Sequence, residues 1–217
     1  RSSIGVRGIN LTANDEVVGM QLEKQGDSLL IVSEKGMGKR TAMEEFTVQN
    51  RGGKGKRGMT TKEEDVIAQI MTTNSHDYLL FFTNQGRLFR MKAYEVPQAS
   101  LAAKGTAAVN MLNMHPEEKI TSIIKQGEAG ANGYLFMATK KGTIKKSAIK
   151  DFFNVRSNGI IAIKLDEGDE LKWVQETTGE NDIVISTSAG NATRFNEKEV
   201  RVMGRSAMGV RGMRLRP

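Results

Sequence analysis

Cysteine is absent from this chain. Without it there are no disulfides, no thiol chemistry and no thiolate-bound metal, and a reducing, cytoplasmic setting fits. Histidine is almost as scarce: His76 and His115 are the two, and neither stands at the spacing of a metal site or a catalytic triad. Aromatic residues make up only 6%, so the core is expected to be aliphatic and thin. No apolar run approaches the roughly 18 residues that a membrane-spanning helix requires. No apolar segment follows a basic start as in a secretory leader. The first residue is Arg1 and not Met, and the last two are Arg216 and Pro217, which reads as a domain taken from something longer.

What the 217 residues do have is positive charge, a formal net of +7, which favours a polyanionic partner. They also have internal repetition. Ser28–Gly36, Tyr78–Gly86, Tyr134–Gly142 and Asp182–Gly190 each run through about five apolar or β-favouring residues and a polar step into a glycine. These glycines lie 50, 56 and 48 residues apart. The pattern predicts a strand running into a tight turn. A second register agrees with the first. Gly5, Gly55, Gly105, Gly159 and Gly209 are spaced by 50, 50, 54 and 50 residues. They open extended stretches such as Val6–Leu11, Thr106–Met111, Ile160–Leu165 and Val210–Leu215. Acidic residues follow (Asp15-Glu16, Glu64-Asp65, Asp169-Glu170, with Glu117-Glu118 displaced), and then a further strand such as Glu16–Leu22.

About four short strands per repeat of some 50 residues is the signature of propeller-like blades. One such sheet cannot bury both faces alone, so blades must stack. Helical periodicity is nowhere sustained. The expected fold is all-β: four repeats at about 5–54, 55–104, 105–158 and 159–208, and a partial fifth at 209–217, within a single domain. Four blades and a fraction leave ring closure open.

Cations keep the same phase. Four residues beyond each turn glycine stand Arg40, Arg90, Lys146 and Arg194, with Lys39, Arg87, Lys92 and Lys145 close by. A second set precedes the other glycine: Arg51 and Lys54, Lys104, Arg156 and Arg205. Equal phase in stacked blades means equal height, so these residues are expected to form a basic band along which duplex phosphates bind with release of counterions. Gln49–Gly58 concentrates the charge further. Arg51, Lys54, Lys56 and Arg57 surround four glycines whose backbone N–H groups are expected to approach phosphate oxygens. The segment lacks the Lys-Ser/Thr ending of a nucleotide-binding P-loop.

Gln49-Asn50-Arg51-Gly52-Gly53-Lys54-Gly55 resembles the seven-residue gyrase A box, differing by Asn50 where that box carries Arg. Thr61–Asp65, Ser75–Phe82, Ala138–Gly142, Met203–Arg205 and Gly209–Gly212 are likewise similar to C-terminal blades of that family, and the likeness runs along essentially the whole chain. The resemblance, to the C-terminal DNA-wrapping domain of bacterial gyrase A among type IIA topoisomerases, implies a β-pinwheel whose blades exchange strands. It implies double-stranded DNA wrapped over a basic rim, with the box required for supercoiling though it cleaves nothing. It further implies a non-catalytic domain holding no cofactor, ATP and magnesium being used elsewhere in the enzyme. The partners implied are the rest of gyrase A and gyrase B in an A2B2 assembly, in the bacterial cytoplasm and not on a membrane. Two alternatives stand beside it: the topoisomerase IV domain, which orients DNA but wraps it weakly, and a propeller that scaffolds other proteins.

Overall fold

The computed structural model describes residues 5–13, 15–22, 25–62, 65–126 and 132–215. Hairpins form where the glycine-terminated runs predict them: β1 (Ser28–Ser33) with β2 (Met37–Ala42), β4 (Tyr78–Thr83) with β5 (Arg87–Lys92), β8 (Tyr134–Thr139) with β9 (Thr143–Ala148), and β12 (Asp182–Ser186) with β13 (Ala192–Asn196). Their turns are closed by Gly36, Gly86, Gly142 and Gly190 at φ of 79°, 75°, 85° and 80°, a region other residues resist. The remaining strands are β3 (Ile67–Thr73), β6 (Thr106–Ala107), β7 (Ile120–Lys125), β10 (Ile160–Ile161), β11 (Leu171–Thr177) and β14 (Val210–Arg211). Short 3-10 turns follow the hairpins and occur at Ala108–Asn110.

The described residues fall into two compact units, one from residues up to 76 with 93–111, the other from 77–92 with residues from 112 onward. The first holds one sheet in the order β3-β1-β2-β6. The second holds β7-β4-β5-β10, β11-β8-β9-β14 and the two-stranded β12-β13. Every four-stranded sheet takes its hairpin from one repeat, its outer strand from the next repeat and its two-residue inner strand from the repeat after that. The strands are exchanged, and these strand pairings are antiparallel. The outer strand carries an irregularity in register at its end in all three sheets, between Val32 and Ser33, Phe82 and Thr83, and Leu171 and Trp173.

This rule explains where the expected strands fail to form. Val6–Leu11 and Glu16–Leu22 hold the phases of inner and outer strands but form no ladder and are exposed. Their counterparts pair with hairpins earlier in the chain, and no hairpin precedes these two among the described residues. The β12-β13 hairpin likewise lacks outer and inner partners among the described residues, and Val184 on it is 65% exposed. The core is aliphatic with a few phenylalanines. In the second unit Leu80, Phe82, Leu88 and Ile124 pack with Leu135, Met137, Leu171 and Val174, each buried side chain contributing about 1.5–3 kcal/mol.

Candidate functional site

The recurring acids are structural. Asp65 accepts from Ser33 Oγ at 2.7 Å and from the Lys35 amide at 3.0 Å. Glu118 accepts from Thr83 Oγ1 at 2.6 Å and pairs with Arg87 at 2.7 Å. Asp169 accepts from the Lys141 amide at 2.9 Å. All three carboxylates are buried against hairpin turns. Glu118 stands two residues before its outer strand, as Asp65 and Asp169 do, so its displacement in the sequence is taken up by the longer stretch of chain that follows Gly105. No group of three metal-ligating side chains is present among the described residues.

The cations expected at a rim separate into two classes. Lys39, Arg40, Lys145 and Lys146 are buried, with Lys39 and Lys145 at 0% exposure; their phase marks an internal position in these two hairpins, because β2 and β9 are covered by chain from the following repeat. Lys39 Nζ donates to the Ser100 carbonyl, and Lys145 Nζ donates to the carbonyls of Ala162 and Arg205. Arg40 donates to Ser28 Oγ and Ser75 Oγ, and its backbone bridges Pro97 and Ala99. Lys146 bonds the Glu197 carbonyl at 2.9 Å and lies over the Tyr134 ring. Arg90, half-buried, donates to Phe153 O and Gln126 Oε1 and lies 3.4 Å from the Tyr78 ring centre, and Lys92 lies over the same ring. Arg87 reaches Asn158 O as well as Glu118. Arg194 is exposed and paired with Asp182, whose carboxyl it holds below the usual range. Lys39, Arg40, Lys145 and Lys146, buried in this way, do not form a row at the surface. Burial pushes the ammonium of Lys39 down from its ordinary value. The same cause takes Lys145 down to about 8, Asp151 opposing the shift and Arg205 adding to it.

What these buried cations grip is the segment in box phase one repeat later. Counted back from the second-register glycines, the box is residues 49–55 and its counterparts are 99–105, 153–159 and 203–209. Three contain the same four-residue turn, with Gly53 N–H to Asn50 O, Ala103 N–H to Ser100 O, and Ala207 N–H to Gly204 O. In 153–159 the turn slides forward, Gly159 N–H donating to Arg156 O at 2.8 Å. The left-handed step at Gly52 (φ 80°) recurs at Ala102 (φ 63°). The carbonyls of Ser100, Phe153, Asn158 and Arg205 accept from the hairpin cations Lys39, Arg90, Arg87 and Lys145. Partial negative charge is thereby drawn inward, and the side chains of the turns face out. Arg51, Lys54, Lys56, Arg57, Lys104, Arg156 and Arg205 are all exposed, and none is in an ion pair with a described residue.

The box differs from expectation in one respect. Gly52 N–H donates to Gly8 O at 2.7 Å, Gly53 N–H to Asn50 O, and Gly53 O accepts from Asn10 N–H at 2.9 Å. The amides of Gly52 and Gly53 are committed to the chain itself. The glycines shape a turn pinned on residues 8–10, and charge is presented by Arg51 and Lys54, with Gln49 and Asn50 exposed beside them.

A family model described as the DNA gyrase C-terminal domain, beta-propeller, matches residues 1–22, 27–74, 77–126, 133–177 and 181–217. Its breaks fall just before each hairpin. The DNA gyrase A protein of Clostridium acetobutylicum is 43% identical over 200 residues, covering 92% of this chain and 24% of that protein. The gyrase A protein of Salmonella typhimurium is 42% identical over 212 residues, covering 96% and 24%. The chain therefore spans about a quarter of the length of these relatives. Among solved structures, the C-terminal domain of DNA topoisomerase IV superposes with a TM-score of 0.70 at 27% identity, covering 87% of this chain and 57% of that one. A DNA gyrase A C-terminal domain gives 0.69 at 28%, covering 87% and 61%.

Proposed function

Because this chain belongs to the DNA gyrase A C-terminal domain family, we propose that it binds duplex DNA through the exposed cations of its box-phase turns and bends the duplex along them. One observation carries the reading: the turns in box phase all present exposed cations without ion-pair partners among the described residues, while the hairpin cations Lys39, Arg40, Lys145 and Lys146 are buried, Arg87 and Arg90 bond carbonyls of those turns, and Arg194 is paired. Duplex DNA carries one charge per about 1.7 Å of axis, so cations that neutralise its phosphates gain from release of the counterions. Curving a site by 40–90° costs about 1–6 kcal/mol, offset by the added phosphate contacts.

In this reading the chain catalyses nothing and holds no cofactor. It serves a gyrase built from two copies each of the A and B proteins on the bacterial chromosome in the cytoplasm, with strand cleavage and ATP use elsewhere in the assembly. A role in topoisomerase IV is supported by fold likeness of equal strength. The near-complete box and the 42–43% identity to gyrase A proteins favour gyrase.

The test is duplex binding across a salt series. Log affinity should fall with log salt by about 0.9 per phosphate neutralised. Arg51→Ala with Lys54→Ala should flatten that slope by about two such steps, while Glu34→Ala leaves it unchanged. Salt-independent binding by the unaltered protein would contradict the proposal.

A further inference from the structure

Between the box-phase turns 153–159 and 203–209 lies a cavity of about 1020 Å³, within the second compact unit. Lys150, Arg156 and Arg205 line it, together with Asn154 and Asn158 and one carboxylate, Asp151. Ile160 and Ile161 form part of its wall. Three cations against one acid leave it a formal charge of +2. Lys150 is in neither phase of the repeat: the positions following the other hairpins at the same distance are Glu44, Tyr94 and Lys198.

We propose that this cleft seats a stretch of sugar-phosphate backbone as the duplex crosses from one box-phase turn to the next, with Lys150 as an added phosphate contact. The proposal rests on the DNA reading above and deepens it by naming a seat between turns.

Three observations support it. The cations of the cleft are exposed and in no ion pair with a described residue. Arg194 and Lys198, exposed on the last hairpin and the turn after it, are by contrast paired with Asp182 and Glu180. The acceptors on both flanking turns are occupied from behind: Phe153 O by Arg90, Ser157 O by Asn113, Asn158 O by Arg87, and Arg205 O by Lys145. A carbonyl-lined cleft would repel phosphate, and here most of these carbonyls are already satisfied by cations. The volume greatly exceeds one phosphate, and the asparagines supply amide donors suited to non-bridging oxygens. Asp151, the one unfavourable charge, acts on the buried Lys145 ammonium beneath Arg205 and is partly offset by it.

Charge changes of opposite sign test the seat on the intact chain, using a labelled duplex that spans the domain. Lys150→Ala should reduce the salt slope by about 0.9, one phosphate contact, and weaken binding at low salt. Asp151→Asn should tighten binding. A merely structural role for either residue would give loss in both variants, or no change. If the unaltered protein binds with its full salt dependence and Lys150→Ala matches it, the seat is refuted while the DNA reading stands. If the unaltered protein shows no salt dependence, both are refuted together.

Discussion

Lys39 and Lys145 occupy equivalent places in the first and third hairpins, and each turns its ammonium to the carbonyl of a box-phase turn one repeat later. Burying a cation costs several kcal/mol unless hydrogen bonds replace its water. For Lys145 that cost shows in a proton affinity lowered by burial from the ordinary 10.5 to about 8. The consequence for stability has a definite sign. Below pH 8 the lysine is charged in both folded and unfolded chains, and its burial cost is constant. Between about 8 and 10.5 the unfolded chain holds the proton that the folded chain has released, so the contribution of Lys145 to stability rises with pH across that window. Thermal unfolding of the protein and of Lys145→Met should show a difference in midpoint that shifts in favour of the lysine form from pH 8 to 10.5. A difference that stays flat would mean the ammonium is not desolvated as the structure has it.

At the scale of the element, the hairpin turn is the repeating part, and its glycines differ in what surrounds them. A Cβ on Gly142 would lie 2.7 Å from the Met213 carbonyl, on the chain just beyond β14. A Cβ on Gly190 would meet nothing within 4 Å. Both have left-handed φ, which costs other residues about 1–2 kcal/mol. Gly190→Ala should lose about that much, and Gly142→Ala appreciably more because the inner strand must move. Chemical denaturation of the two variants checks the ranking, and equal losses would contradict the strand exchange. The hairpins, their glycines and their phase are legible in the sequence because a turn is a local event. Which strand pairs with which hairpin is not, since β3 and β6 reach β1 and β2 from one and two repeats away. The basic phase misleads for the same reason. Arg40 and Lys146 look like surface residues until the chain that covers them, around Gln98 and Val202, is in place.

For the whole molecule, the repeat determines which charges reach solvent. One set of cations holds the turns at 99–105, 153–159 and 203–209 from behind and is consumed there, and the other set, on the turns, is left for a polyanion. The exposed set is visible in the sequence as Arg51, Lys54, Lys104, Arg156 and Arg205, but only the structure separates it from the buried set, and Lys150 emerges from a cavity that no periodicity reveals. The most direct measurement of the claim that these turns bend DNA is the linking number of a closed plasmid relaxed in the presence of the protein. The account predicts a topoisomer shift that grows with bound protein and is lost when Arg51, Lys54, Lys104, Arg156 and Arg205 are neutralised together. Saturating binding with no shift in linking number would contradict it.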